Sequence, residues 1–159
     1  MHDLTLRPMS ASELHALTAL FDYNDVPAMI AENTQRIESG DFSIYLLIER
    51  EELIGELHVT WRSDDPFTAI DGQRAYLSAY RIREDKQGCG YGQLLLRGVI
   101  AAIEACGYRE ITIGVEDDNA RAKHLYRKFG FTEFVERRSE CYQGDAYEYD
   151  LLLRRCVEG

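Results

Sequence analysis

The run Gln87-Gly88-Cys89-Gly90-Tyr91-Gly92 lies mid-chain, between a stretch with β-type alternation and a strongly apolar helical one. That position constrains the fold more than any other feature. Residues 74–82 read as a strand and residues 93–106 as a helix closed by Gly107 in the left-handed capping position. Alternation then resumes in Ile111-Thr112-Ile113-Gly114-Val115. Strand, helix and strand in this order call for a parallel crossover that pairs residues 74–82 with residues 109–115. The intervening helix carries Leu94, Leu95, Leu96, Val99, Ile100 and Ile103. These cover so much of its circumference that it is expected to pack against the sheet.

Upstream the pattern is that of an antiparallel meander. Residues 4–7 form a short strand, and Ser10 with Glu13 has the spacing of a capping box for a helix over residues 11–21. The apolar positions Leu14, Leu17, Leu20 and Phe21 mark its buried face. A second helix begins near Pro27 and ends before Gly40, and residues 42–49 and 53–61 make a hairpin. Downstream, Asn119 caps a helix that Gly130 stops, with Asp117 and Asp118 at the positive end of its dipole and Arg127 and Lys128 at the other. Strands follow over residues 132–140 and 146–153, joined by a Gln143-Gly144-Asp145 turn. The expected fold is therefore α+β, a mixed α/β sheet with an N-terminal antiparallel part, one parallel β-α-β crossover and flanking helices. Its 159 residues are expected to form a single domain.

Composition narrows the function. The longest nearly apolar stretch, residues 94–105, is broken by Arg97, Gly98 and Glu104 and is well short of the roughly 20 apolar residues of a membrane span. The first ten residues hold no apolar signal core, so no secretion is expected and the location is taken as cytoplasmic. A formal charge of −10 opposes nucleic-acid binding and favours cationic partners. Cys89, Cys106, Cys141 and Cys156 are scattered without a C-x-x-C pair or a histidine at zinc-ligand spacing, so free thiols and no metal are expected.

Glycines in the 87–92 run let the backbone turn tightly and approach a ligand closely. The unpaired amides at the start of the next helix, with its dipole, suit a pyrophosphate. A Walker A loop is excluded, because neither Lys-Ser nor Lys-Thr follows the last glycine. A dinucleotide-binding turn fits less well. Glu116 and Asp117 lie at a suitable distance for a ribose contact, but the glycines arrive after a meander and only one crossover is found.

Gln87-Gly88-Cys89-Gly90-Tyr91-Gly92 resembles the Q/R-x-x-G-x-G/A motif of the GNAT acetyltransferases. Asn119-Ala120 with Leu125-Tyr126-Arg127-Lys128-Phe129-Gly130-Phe131 resembles the second conserved block of that family. Many members have Arg at the place of Gln87 and Pro at that of Glu84. The resemblance implies that Gln87, Gly88, Cys89, Gly90, Tyr91 and Gly92 cradle the pyrophosphate of acetyl-CoA through backbone amides. It implies that Ile82 and Arg83 bond the pantetheine where the parallel strands splay, and that Asn119 adds a polar contact. Cys89 lies in the loop without its side chain being needed.

By the same resemblance the reaction is direct transfer, in which a neutral amine attacks the thioester and CoA leaves as a thiol. Tyr126 would protonate the departing sulfur. The base is open among Glu84, Glu56 and Glu116, or water leading to one of them. The acceptor is expected to be a small-molecule amine or polyamine of cationic character. A protein N-terminus or lysine, and a non-catalytic CoA-binding sensor, are the alternatives. A homodimer is compatible with the family.

Overall fold

The computed structural model describes residues 3–19, 23, 25–142 and 145–156. Helix α1, Val26–Ser39, starts where Asp25 accepts the Ala28 amide at 3.1 Å and ends at Gly40, whose φ of 83° only glycine adopts freely. Helix α2 spans Tyr91–Ala105 and α3 spans Ala120–Lys128. The strands are β1 Leu4–Pro8, β2 Phe42–Glu49, β3 Glu52–Thr60, β4 Arg74–Ile82, β5 Glu110–Glu116, β6 Phe131–Tyr142 and β7 Asp145–Arg155. They form one sheet in the order β1-β2-β3-β4-β5-β7-β6, in which the β4–β5 pair is parallel and every other pair antiparallel. The α+β class and the parallel crossover expected from the sequence are what the structure shows.

Apolar side chains cover both faces. On one, Leu95, Leu96, Val99, Ile100 and Ile103 of α2 pack with Leu57, Val59, Leu77 and Ile113 of the sheet and with Tyr126 of α3. Each such burial is worth roughly 1.5–3 kcal/mol. On the other, Leu14 and Leu17 pack with Phe42, Ile44 and Leu46, and α1 adds Met29, Ile30 and Ile37. Helix α2 begins two residues earlier than its periodicity implies, at Tyr91, because Gly90 (φ 86°) serves as its N-cap. It is not buried all round: Arg97, Ala101 and Ala105 face solvent.

Residues Ala11–Ala19 are a 3-10 helix instead of an α-helix. The Glu13 carboxylate accepts the Ser10 amide at 2.9 Å, as a capping box requires. The Glu13 amide, however, donates to the Ser10 carbonyl at 3.0 Å, the i→i+3 bond of the tighter helix. Leu20, Phe21, Gln143 and Gly144, assigned from sequence to this helix and to the last turn, lie outside the described residues.

One irregularity positions the site. Pairing of β4 with β5 runs from Arg74↔Glu110 to Leu77↔Ile113 and stops. Just beyond, β4 carries an extra residue against β3: His58 pairs with Ser78 but Glu56 pairs with Arg81, and Ala79 takes φ 50°. A bulge of this kind bends its strand. Here β4 continues with β3 while β5 continues with β7, and a wedge opens between them.

Candidate active site

A cavity of about 380 Å³ occupies the wedge, walled by residues 76–80 of β4 and 113–116 of β5. Asn119, Ala122 and Tyr126 of α3 close one side, and Glu140, Tyr147 and Tyr149 of β6 and β7 close another. Asn119 is where the cap signal puts it, with its side-chain oxygen accepting the Ala122 amide at 3.0 Å. Tyr126 falls about two turns later and points from α3 into the apolar layer, 8% exposed. Its ring lies 6.1 Å from that of Phe131 and 6.4 Å from that of Tyr80. Burial pushes its phenol up to about 12. Its hydroxyl bonds to no described residue, whereas the Tyr80 hydroxyl donates to the Gly92 carbonyl.

The glycine run links the wedge to α2. A 3-10 turn, Glu84–Lys86, leads into it, and the Gln87 side chain donates back to the Ile82 carbonyl at 3.0 Å. The first amide of α2 to find an acceptor is that of Leu94, on the Gly90 carbonyl at 3.2 Å. The N–H groups before it are those that every helix leaves without an intrahelical partner. Gly88 and Gly90 both take left-handed φ, and a Cβ built on either would meet nothing within 4 Å. The space above the loop is therefore open, as a bound pyrophosphate requires. The neighbouring side chains turn away: Tyr91 and Lys86 both bond Glu49, Arg83 bonds Asp85 at 2.6 Å, and Cys89 is exposed.

The three carboxylates singled out from sequence occupy different environments. Glu116 is exposed at the end of β5 and lines the cavity. Glu84 is exposed on the 3-10 turn, outside the cavity. Glu56 is fully buried beneath a polar network, in which it pairs with Arg81 at 2.8 Å, accepts the Tyr23 hydroxyl at 3.1 Å and bonds His58. Among the described residues no group of His, Cys, Asp and Glu is arranged to hold a metal ion.

Sequence reasoning missed Glu140, Tyr147 and Tyr149. The carboxylate of Glu140 accepts the Tyr149 hydroxyl at 2.7 Å and that of Tyr147 at 3.1 Å. Burial, and then the Glu140 carboxylate, raise both phenols, Tyr147 to about 12 and Tyr149 further. Pairing of Glu116 with Tyr149 brings this group to the wedge. A period-two pattern in the tail gives the alternation but not the partner strand.

The family model described as Acetyltransferase (GNAT) family matches residues 10–131, most of the chain. The chain belongs to the GNAT family of acetyltransferases. As a GNAT protein it is an acyltransferase, and solved structures share its fold. A GNAT family acetyltransferase from Elizabethkingia anophelis with acetyl-CoA bound is 18% identical, covers 98% of this chain and 99% of its own, and has a TM-score of 0.67. A chimera of the spermidine N-acetyltransferase SpeG from Vibrio cholerae and hSSAT is 18% identical over 96% of this chain and 95% of its own, with a TM-score of 0.72. Arabidopsis thaliana NAA60, in complex with a bisubstrate analogue, is 20% identical over 96% and 98%, with a TM-score of 0.71. No curated protein sequence matches the chain significantly.

Proposed function

We propose that this GNAT enzyme transfers an acetyl group from acetyl-CoA to the primary amine of a small molecule or polyamine, by direct attack on the thioester in the β4–β5 wedge. The observation that carries the reading is Tyr126: a residue 8% exposed, its hydroxyl bonded to no described residue, on the wall of a cavity whose Tyr80 is tied to Gly92 at the start of α2. A tyrosine hydroxyl at a cavity wall with no protein partner is available to a ligand.

Bound acetyl-CoA supplies the acyl group as a thioester. The amides of residues 88–92 hold its pyrophosphate, and the free edges of β4 and β5 beyond Leu77 and Ile113 receive the pantetheine arm. Alkyl ammonium groups titrate near about 10, so the attacking nitrogen must lose a proton first. Glu116, the sequence-derived carboxylate that lines the cavity, takes that proton through water. As the C–N bond forms and the C–S bond breaks, Tyr126 gives its proton to the sulfur, and the second proton, shed by the acylated nitrogen, returns through water to the Tyr126 phenolate. Its raised pKa keeps that proton in place at neutral pH. We assign the enzyme to the cytoplasm, in keeping with its four free cysteines, three of them exposed.

Thermal unfolding with added cofactor tests the reading. Acetyl-CoA is expected to raise the Tm while NAD and NADP leave it unchanged. Stabilisation by a dinucleotide and not by acetyl-CoA would overturn it.

A further inference from the structure

The cavity wall has a charge pattern that points to what enters it. Among the described residues Glu116 and Glu140 contribute carboxylates, five tyrosines contribute rings and hydroxyls, and no Lys or Arg lines it. Arg138, the cation whose field reaches Tyr149, is engaged by Asp65 and by Glu136 at 2.6 Å. Glu140 is exposed on β6, yet it is held: two hydroxyl donors, Tyr147 and Tyr149, fix its carboxylate, and their rings stand 6.0 Å apart with 33° between planes. The Tyr149 ring in turn lies on Gly114, where a Cβ would come within 2.9 Å of it. Tyr126, a residue more than nine-tenths buried whose hydroxyl has no described partner, stands in the wall of the same cavity.

We infer that Glu140 and the faces of Tyr147 and Tyr149 form the subsite for a second, protonated ammonium of the acceptor, which makes the preferred substrate a di- or polyamine. A carboxylate orients the charge, and tyrosine faces attract it without losing their hydroxyl bonds. The attacked nitrogen must be neutral to react, whereas the distant one stays protonated at neutral pH, so one molecule offers both forms. The inference rests on the acetyl-transfer reading for the role of the near nitrogen, but the charge subsite itself is a matter of binding.

Calorimetric titration of the CoA-bound protein with putrescine and with butylamine tests it, since the two differ by the second ammonium. Putrescine is expected to bind roughly tenfold more tightly than butylamine, a preference that Glu140→Gln abolishes. Tyr149→Phe, which keeps the ring and removes one brace, is expected to weaken putrescine roughly threefold. Glu133→Gln, on the same strand but paired to Arg155 away from the cavity, is expected to change nothing. Equal binding of the two amines, undetectable putrescine binding, or an undiminished preference in folded Glu140→Gln would overturn the subsite. Putrescine binding that depends on Glu140 without any CoA thiol released in a parallel assay would instead refute acetyl transfer and leave the subsite standing.

Discussion

Tyr80 and Tyr126 face each other across the mouth of the wedge, ring centres 6.4 Å apart and planes inclined by 37°. Their hydroxyls differ in use. That of Tyr80 is spent on the Gly92 carbonyl, which ties β4 to the first turn of α2, and that of Tyr126 bonds to no described residue. Gly92 permits the tie, since a Cβ there would sit 3.1 Å from the Tyr80 oxygen.

Removing one oxygen separates chemistry from packing. Tyr126→Phe is expected to lower kcat about 10²-fold while leaving the Kd for acetyl-CoA and the Tm unchanged, because no protein hydrogen bond is lost. Steady-state kinetics with titration calorimetry reads both quantities. Full activity in the variant would remove Tyr126 from the proton-donor role.

Gly90 tests the amide ring. At φ 86° a β-branched residue is strained, and its side chain would enter the space above the loop. Gly90→Val is expected to weaken acetyl-CoA binding at least about tenfold and to cost about 1–2 kcal/mol of stability. Unchanged affinity would refute the assignment of this loop to the pyrophosphate.

Glu56 is predicted to matter for stability. It is fully buried with Arg81, His58 and Tyr23 around it. Glu56→Ala removes the buried carboxylate that Arg81, His58 and Tyr23 share and is expected to destabilise the fold by about 3 kcal/mol in denaturant unfolding. A loss under about 1 kcal/mol would contradict the role of this network.

At acid pH the pair Arg7–Glu13 should be visible. The Arg7 guanidinium, and then the Ser10 amide, hold the Glu13 carboxyl down at about 2. A lowered folded-state pKa stabilises above the ordinary value of 4.5 and loses that contribution as the pH falls through about 2. Glu13→Gln is therefore expected to flatten the acid limb of the stability curve between those values. The effect should be modest, since the side chains are 41% and 34% exposed.

Local signals carried much of this fold. The Asn119 cap, the stop at Gly130 and the 74–82 strand follow from short-range rules, and the structure reproduces them. The place of the glycine loop was legible for the same reason, as its glycines sit at a helix start. Two things were not. The 3-10 geometry of residues 11–19 depends on which Ser10 acceptor the Glu13 amide chooses, carbonyl or hydroxyl, and both are compatible with the same residues. Glu140 and Tyr149 reach the wedge through β5–β7 pairing and two register shifts in β6, at 131/133 and 134/136, that no local pattern announces.

In the proposed function the wedge holds acetyl-CoA and an amine together for transfer. Release of free CoA thiol, followed across polyamines, aminoglycosides, amino acids and N-terminal peptides with wild-type protein and Tyr126→Phe, tests it most directly. The account predicts selective release with di- and polyamines that falls about 10²-fold in the variant. Acetyl-CoA binding without release on any amine, or release that Tyr126→Phe leaves intact, would contradict it.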